Sequence, residues 1–525
     1  MTRLPRLPFP ALLLLAAVAG ALNILAFAPF GWWPLQLVLF ALLFHCLHRN
    51  GSEPTSVKKN IGIGLVYGWG WLVCGVWWLY ISMHDYGGMP AWLAALAVAL
   101  MGLALGAIPA GAVGMATWLR QRWSSSDAVT LLLILPACWT LGEWLRGWIF
   151  TGFPWVVSGY AHNASPLAGW AALFGVYGLG WLAALLGGAL ALLAQRQAVL
   201  ASICVIVAII GGGWSLQSVA WTQPAGKPIS VRLLQGNVPQ EMKFDPERLV
   251  DTLASYDMLI RAAPADLIAT PETALPLLSY QIPAEYMAGL SDFAHRSGSH
   301  LIIGIPFSER PRDYTNSVIG IAPQMPLLTS ANRAGYRYDK HHLVPFGEFV
   351  PFGFRWFVDM MRIPLGDFTR GAVVQAPFAV KDQQVLPNIC YEDLFGEEIA
   401  AQIAAAYHDK TPQPTMLLNV SNIAWFGDTI ALPQHLQISQ MRTLETGRPM
   451  LRATNTGSTA VIGHDGKVLA QLPSFQKDAL SASVQGYEGV TPYIVLGNHL
   501  IVLLTLLSLV LARFLSRKKP ADAHI

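Results

Sequence analysis

Long apolar stretches separated by short polar loops fill the first part of the chain, up to Val219. Each approaches the roughly 20 residues with which a helix crosses a bilayer, and one more lies near the C-terminus. The pattern predicts a polytopic α-helical membrane domain with about eight transmembrane helices. The predicted spans are Ala11–Phe27, Trp32–Leu47, Ile61–Met83, Ala91–Leu119, Ala128–Trp144, Leu167–Ala194, Val199–Val219 and His499–Leu515.

The pattern changes near Gln223, where β-branched runs begin to alternate with stretches typical of helices. Strands are predicted at Ile229–Leu234, Leu267–Thr270, Leu301–Ile305, Ser317–Ile321, Val385–Ile389, Met416–Val420, Met450–Thr454 and Ala460–Gly463. Helices are predicted at Pro246–Arg261, Pro283–Ser297, Glu397–Tyr407 and Leu432–Thr446. This mixed order predicts one α/β domain. The expected organisation is a transmembrane domain at 1–222, the α/β domain at 223–493, and a final helix with a tail at 494–525.

Composition supports the membrane assignment. Of the 525 residues, 54% are hydrophobic and only 12% are charged, whereas soluble domains carry about 25% charged residues. The net charge of +3 is too small to indicate a nucleic-acid partner.

The distribution of Lys and Arg predicts the orientation of the spans, because cytoplasmic loops carry an excess of both. A cytoplasmic N-terminus places on that same side Arg49, Lys58, Lys59, Arg120, Arg122, Arg196, Arg513, Arg517, Lys518 and Lys519. The opposite loop at His84–Pro90 holds neither Lys nor Arg. The sequence therefore predicts cytoplasmic termini and an α/β domain on the outer face.

Tryptophans occur at many predicted span ends, which is typical of the interfacial aromatic belt. The segment Gly152–Trp155 allows a second interpretation, an irregular loop that shapes a lipid site. Irregular backbone at membrane depth is tolerated where it lines a cavity or is buried in protein.

Cys390 is the first candidate for chemistry in the α/β domain. It follows the predicted strand at Val385–Ile389, and it is the only one of five cysteines in this domain. A lone thiol in an oxidising compartment indicates reactivity. Cys390 is therefore a candidate nucleophile, which needs a base to take its proton and a donor to stabilise negative charge.

Two charged residues suit those needs. Glu272 follows a predicted strand and lies among apolar residues, so its pKa is expected to be raised. Glu272 is either a general base or a turn residue. Lys340 is either part of a solvated basic surface or the cation that stabilises an oxyanion. His341 and His342 are adjacent and point in different directions, so no metal site is predicted.

Other residues stay open between structural and functional roles. Glu348 is either a structural acid paired with a cation or a second functional acid. Tyr391 can supply its backbone N–H to an oxyanion, and Glu392 is an additional acid beside the thiol. Trp425 and Phe426 are either core aromatics or the apolar wall of an acyl-chain site.

The order of Glu272, Lys340 and Cys390 resembles the Glu-Lys-Cys triad of the nitrilase, or carbon–nitrogen hydrolase, superfamily. The specific parts are Cys-Tyr-Glu at Cys390 and Lys-His-His-Leu-Val-Pro-Phe-Gly-Glu at Lys340. With about seven spans before this domain and one after it, the whole chain resembles the bacterial apolipoprotein N-acyltransferase family. The resemblance implies an αββα sandwich for the α/β domain.

The resemblance also implies a two-step acyl transfer. Glu272 would deprotonate Cys390, which would take the sn-1 acyl chain of a phospholipid, typically phosphatidylethanolamine, as a thioester. Lys340 and the Tyr391 N–H would hold the oxyanion. The acceptor would be the N-terminal α-amine of a diacylglyceryl apolipoprotein at the periplasmic face of the bacterial inner membrane.

Further expectations concern supporting and lipid-facing residues. In the family a second Glu near the Lys matters, which is Glu348 here, and Glu392 is a supporting acid. Phe346–Met361 is a candidate lid, and Phe244 stands where some relatives place a Trp. The lipid- or acyl-binding candidates are Trp155, Phe346, Phe349, Trp425 and Phe426. No cofactor or metal is expected, and the protein is expected to be a monomer.

Three other functions compete with acyl transfer. A membrane-anchored amidase would use the same triad without needing about eight spans. A transporter or receptor would need more intramembrane acids and bases than Glu143 and Arg146, which lie near a span end. A scaffold protein would leave the triad unexplained.

Overall fold

The computed structural model of the protein describes residues 7–48, 56–240, 247–310, 313–356 and 367–516. The chain divides into two compact units. One comprises the described parts of 1–77, 91–219 and 496–525, and the other comprises 78–90 and 220–495. Phe244 and residues 357–361 of the candidate lid lie outside the described residues.

The first unit is built from apolar helices. They lie at Phe9–Leu22, Trp33–His48, Val57–Val76, Ala91–Trp123, Leu135–Arg146, Ala171–Ala194, Val199–Gln217 and His499–Ser516. With their flanking turns, six segments in the described chain are long and apolar enough to cross a membrane. Joining Val57–Val76 to the bent segment after it gives a seventh, and Trp33–Leu47 is a shorter apolar helix. Each of the eight predicted spans thus overlaps an apolar helix, and six or seven of these segments are long enough to cross a membrane.

The third predicted span, Ile61–Met83, ends earlier than expected. Its α-helix ends at Val76, and residues 78–90 belong to the second unit. There the ring centroid of Trp78 lies 4.3 Å from that of Phe426, and Trp78 Nε1 donates to Gln434 Oε1 at 3.2 Å. Hydropathy misses this boundary because residues 77–81 are as apolar as the helix before them.

In its described residues, the second unit contains two six-stranded sheets. The first sheet has the order β12-β1-β2-β3-β4-β5, and the second has the order β11-β10-β9-β8-β7-β6. The strands are β1 Thr222–Gln235, β2 Leu267–Ala269, β3 His300–Arg310, β4 Asp313–Ile321, β5 Tyr336–Asp339, β6 Phe378–Val380, β7 Gln383–Ile389, β8 Met416–Ser421, β9 Met450–Thr454, β10 Ala460–Ile462, β11 Val468–Gln471 and β12 Asp478–Gly489.

Each sheet has a parallel centre and antiparallel edges. Strands β1, β2 and β3 run parallel, and so do β7, β8 and β9. The other neighbouring strands pair antiparallel. Because parallel strands end at the same edge of a sheet, the residues that follow β7, β8 and β9 lie side by side.

Alternating side chains of the strands build three layers of core. In β3, Ile302 packs into the core between the sheets, whereas Leu301 and Ile303 face the helices Leu249–Arg261 and Ala284–Ser297. In β8, Leu418 joins the central core and Leu417 faces the helices Gly396–His408 and Ala431–Thr446. Successive strand residues point to opposite faces, so both sheets are buried on both sides. The αββα sandwich implied by the resemblance is confirmed.

The eight predicted strands and four predicted helices of this unit are confirmed, with bounds that differ by up to seven residues. Four strands were missed: β5, β6, β11 and β12. All four are the outer strands of the two sheets. Edge strands carry fewer buried apolar residues than central ones, so their pattern is weaker.

Candidate active site

Cys390 lies at the carboxyl edge of the second sheet. It follows β7 directly and begins a short 3₁₀ turn, Cys390–Leu394. Its φ of +52° is in the left-handed region, which costs a non-glycine residue free energy and persists where surrounding contacts impose it. The chain turns sharply at the strand end, and the partly buried Cys390 packs against the core between the sheets.

Glu272, Lys340 and Glu348 meet in one buried cluster. Lys340 Nζ lies 3.3 Å from Glu272 Oε1 and 2.9 Å from Glu348 Oε1. Lys340 is 0% exposed, Glu272 7% and Glu348 8%. Lys340 follows β5 directly, and Glu272 follows β2 by three residues. Strand ends of the first sheet therefore supply Lys340 and Glu272, whereas Glu348 lies in the segment that follows β5.

Electrostatic interactions link this cluster to the thiol. Burial, and after it the charge of Glu272, raises the pKa of Cys390 from 9.0 to about 12, and the charge of Lys340 opposes the rise. Burial disfavours the charge of Lys340, but Glu272, Glu348 and Cys390 together hold its pKa above the ordinary value. At neutral pH the site therefore holds a charged ammonium beside a protonated thiol.

Asn316 on β4 is a member of the cluster that the sequence analysis missed. Its Nδ2 donates to Glu272 Oε1 at 2.7 Å and to Glu348 Oε1 at 2.6 Å, so it bridges the two acids. The backbone N–H of Asn422 donates to the other oxygen of Glu272 at 2.8 Å. A buried Asn inside a strand was the available signal, because Asn is depleted in strands.

Glu392 joins the segment that carries Lys340 to the segment that carries Cys390. Its Oε1 accepts from the backbone N–H groups of His341 at 2.6 Å and His342 at 3.2 Å. Its Oε2 accepts from Ile389 N at 2.6 Å and Tyr338 Oη at 3.0 Å. Burial raises the pKa of Glu392 to about 7, and the N–H donors of Ile389 and His341 oppose the rise. Glu392 thus holds the segment that carries Lys340 and the segment that carries Cys390 together around the thiol.

The two histidines after Lys340 have separate partners. His341 Nδ1 lies 2.8 Å from the carbonyl oxygen of Gly371, and His342 Nδ1 lies 2.8 Å from Glu398 Oε1. The His342 ring stacks on Phe395 with centroids 3.4 Å apart. Within the described ranges, no group of three or more His, Cys, Asp or Glu residues is arranged to hold a metal ion.

Trp425 and Phe426 pack against residues 78–90. The ring of Trp425 lies 5.8 Å from Tyr86, and Phe426 lies 4.3 Å from Trp78. Both remain partly exposed. They are therefore part of an aromatic cluster at the surface of the unit, and a role as the wall of an acyl-chain site stays a prediction.

The remaining candidates lie on other segments. The Phe346 ring packs against Phe354 with centroids 5.4 Å apart, and Arg370 lies over the Phe349 ring at 5.3 Å. Further along the candidate lid, Phe352, Phe354 and Trp356 are exposed.

Trp155 belongs to the helical unit. It is buried there, and its carbonyl oxygen accepts from Arg146 Nη1 at 2.7 Å. The Trp155 carbonyl thus fixes the irregular loop to a buried Arg, and a role of this residue in lipid binding stays a prediction.

Both regions of the chain match known families. Residues 19–189 match the apolipoprotein N-acyltransferase N-terminal domain, and residues 230–493 match the carbon-nitrogen hydrolase family. The chain is 49% identical over 487 residues to an apolipoprotein N-acyltransferase of Ralstonia nicotianae, covering 92% of this chain and 90% of the relative. It is 43% identical over 511 residues to an apolipoprotein N-acyltransferase of Bordetella bronchiseptica, covering 92% and 93% of the two chains.

Among solved structures, the chain is similar to an amidase of the nitrilase superfamily from Nesterenkonia AN1. The two are 19% identical with a TM-score of 0.36, over 50% of this chain and 92% of the amidase.

Proposed function

The chain belongs to the apolipoprotein N-acyltransferase family, and from this premise we propose that Cys390 carries an acyl chain from a phospholipid to an apolipoprotein. The donor is the sn-1 ester of a membrane phospholipid, with phosphatidylethanolamine as the expected headgroup. The acceptor is the N-terminal α-amine of a diacylglyceryl-modified apolipoprotein. The protein is an integral membrane acyltransferase.

One observation carries the mechanism. A thiol at a sharp strand end lies within the electrostatic reach of a buried cluster in which two carboxylates share one ammonium. Glu272 supplies the base, Cys390 the nucleophile and Lys340 the positive charge. A cysteine nucleophile needs these three functions, and each is performed by one residue.

In the first step Glu272 takes the thiol proton as the sulfur attacks the ester carbonyl carbon. Lys340 and the Tyr391 N–H stabilise the negative charge that develops on the carbonyl oxygen. The C–O bond of the ester then breaks, and Glu272 returns the proton to the leaving lysophospholipid oxygen. The acyl chain remains on Cys390 as a thioester.

In the second step the α-amine of the apolipoprotein attacks the thioester carbonyl carbon. Glu272 takes a proton from the amine, the same two donors hold the oxyanion, and the C–S bond breaks. The amide product leaves, and the sulfur recovers its proton from Glu272. Every group returns to its starting state, so the cycle needs no cofactor.

The raised pKa of Cys390 makes the base essential. A thiol with a pKa of about 12 is almost fully protonated near neutral pH, so a preformed thiolate does not supply the nucleophile. Removal of the proton must accompany the attack, which requires Glu272 within reach of the sulfur. Glu348 and Asn316 hold Lys340 and Glu272 in the geometry for this transfer.

The location follows from the substrates and from the charge distribution. Both substrates have their reacting groups near the headgroup plane of the outer leaflet. We place the catalytic unit on the periplasmic side of the bacterial inner membrane, with both termini cytoplasmic, on the bias of Lys and Arg along the chain. Trp155, Phe346, Phe349, Trp425 and Phe426 are the acyl-binding candidates, Phe346–Met361 is the lid candidate, and the protein acts as a monomer.

The test uses a phospholipid radiolabelled in its acyl chain. The purified wild-type protein is incubated with this lipid and separated on a denaturing gel, with and without hydroxylamine, which cleaves thioesters. We expect a hydroxylamine-labile label on the wild type and none on Cys390→Ala. An unlabelled wild type in every lipid tested would refute the acyl-enzyme.

A further inference from the structure

Two side-chain donors lie within hydrogen-bond distance of the backbone carbonyl oxygen of Cys390. Asn419 Nδ2 and His435 Nε2 each lie 3.3 Å from this oxygen. Asn419 is on β8, and His435 is on the helix Ala431–Thr446. Both residues are buried, so these contacts form in a place where water does not compete. They are suited to impose the left-handed backbone at Cys390.

Arg452 determines which ring nitrogen of His435 carries the proton. Arg452 Nη2 lies 2.9 Å from His435 Nδ1. A guanidinium only donates hydrogen bonds, so Nδ1 must accept and the ring proton must be on Nε2. His435 is therefore a neutral imidazole that donates from Nε2 to the Cys390 carbonyl. Burial, and after it the charge of Arg452, holds the pKa of His435 well below the usual value.

The Arg is in turn held by an acid. Arg452 Nη1 lies 3.3 Å from Asp393 Oδ2, and Ser439 Oγ bonds to both of these residues. Arg452 and Asp393 are 0% exposed and His435 is 1% exposed. Because a buried charge pair has little freedom to rearrange, the network fixes the imidazole in one tautomer and one orientation.

The carbonyl that His435 contacts belongs to the peptide group that carries the Tyr391 N–H. This peptide is trans and planar, so its N–H points opposite to its C=O. A donor that fixes the oxygen on one side therefore fixes the direction of the N–H on the other. That N–H is the proposed backbone donor to the oxyanion.

We propose that His435 is a positioning residue for acyl transfer, which turns the Cys390–Tyr391 peptide so that its N–H faces the oxyanion. The inference rests on the proposed function. His435 does not act as the general base, because Nδ1 accepts from Arg452 and Nε2 already carries the proton that it donates. Its effect passes through the peptide alone, with Asn419 as the second contact on the same oxygen.

Substitutions at His435 separate this role from a general role in folding. His435→Leu removes the donor, whereas His435→Gln places an amide N–H near the position of Nε2. We expect acyl-enzyme formation in His435→Leu to fall about 100- to 1,000-fold, as for the loss of an oxyanion donor, with an unchanged KM for the lipid. His435→Gln should recover to within about tenfold of the wild type. His408→Leu, at an exposed position on another helix, is the control.

Alkylation of Cys390 by iodoacetamide supplies the decisive second measurement. This reaction displaces iodide and forms no oxyanion, so loss of the oxyanion donor leaves its rate within about threefold of the wild type. A displaced or unfolded thiol would change both rates together, and that result would overturn the proposal. So would a His435→Leu variant that acylates as fast as the wild type.

An activated ester separates this inference from the proposed function. Acylation is measured with p-nitrophenyl palmitate as well as with phospholipid. If only the activated ester acylates Cys390, the proposed donor is wrong, and the His435 variants are still compared on that ester. If neither donor yields a thioester, both proposals fail. Nitrogen NMR of ¹⁵N-histidine-labelled protein reads the tautomer directly, and a protonated Nδ1 on His435 would refute the network.

Discussion

Replacing Glu272 by Gln separates the ionisation of Cys390 from its activation. The Gln carbonyl oxygen can still accept from Asn316 and Lys340, which lie 2.7 Å and 3.3 Å from Oε1 in the wild type. The amide nitrogen then faces the backbone N–H of Asn422, which donates to the second carboxylate oxygen at 2.8 Å. One buried donor loses its acceptor, at a cost of about 1–3 kcal/mol in the free energy of unfolding.

The expected loss of acylation rate follows from two quantities, the small fraction of thiolate and the usual contribution of a general base. With a pKa of about 12, roughly one thiol in 30,000 is ionised near pH 7.5, about a thousandfold fewer than for a thiol at the ordinary value of 9.0. A positioned general base contributes about 10²- to 10⁴-fold. We therefore expect acyl-enzyme formation in Glu272→Gln to fall by that factor.

The intrinsic reactivity of the thiol should change in the opposite direction. The charge of Glu272 is the second cause of the raised pKa of Cys390, after burial. Its removal lowers that pKa, so at a fixed alkaline pH more of the thiol is ionised. Alkylation by iodoacetamide, followed from about pH 8 to pH 11, should be faster in Glu272→Gln than in the wild type.

The assay compares the two rates in the same preparation. Acylation is followed with the radiolabelled phospholipid, and alkylation is followed by mass spectrometry at Cys390. Glu309→Gln is the matched control, because Glu309 is exposed and pairs with Arg337, which is not a member of the cluster. Acylation by Glu272→Gln within about threefold of the wild type would refute a role as base. A parallel loss of both reactions would show that Glu272 is only structural.

Two further predictions concern residues around the site. Because burial raises the pKa of Glu392 from 4.5 to about 7, the folded protein binds this proton more tightly than the unfolded chain. Glu392 therefore lowers the free energy of unfolding as the pH rises from about 4.5 to about 7, with no further change above that. Thermal unfolding of Glu392→Gln should lack this part of the pH dependence, and identical profiles for the two proteins would contradict the assignment. Trp78 is buried against Phe426, so Trp78→Ala should cost about 3–5 kcal/mol. Trp78→Phe, which loses the hydrogen bond to Gln434, should cost about 1 kcal/mol, and equal losses in denaturant unfolding would show that the ring contact is unimportant.

The central part of the sandwich could be predicted from the sequence because its strands are buried on both faces. Strands β3 and β8 contain buried apolar runs, at residues 301–303 and 416–418, which indicate strands without any knowledge of their neighbours. The outer strands gave no such signal. In β11 only one of four residues is even half-buried, so its pattern is that of a surface segment until the neighbouring strand is known.

The residues of the site likewise include some that local sequence indicates and some that it does not. Glu272 and Cys390 each follow a predicted strand closely, so their positions at strand ends could be inferred from local sequence. Lys340 follows β5, an outer strand that the sequence pattern did not indicate, so its position at a strand end could not. Asn316 and His435 could not be found in this way, because their roles depend on partners that are distant in the chain. Asn316 bridges acids 44 and 32 residues away, and His435 contacts a carbonyl 45 residues away. Local pattern identifies strand ends, whereas contacts between them require the register of both sheets.

A protonated resting thiol also explains how Cys390 persists without a disulfide partner. The thiolate is the form that oxidants attack, and a pKa of about 12 makes that form about a thousandfold rarer than for an ordinary thiol. In the proposed periplasmic location this protects the one cysteine that has to stay reduced. In the proposed mechanism, reactivity returns when an ester carbonyl lies beside the sulfur, because Glu272 then takes the proton as the new bond forms. The burial that suppresses the free thiolate is therefore the same feature that makes the proposed catalysis depend on the base and on the peptide that His435 holds.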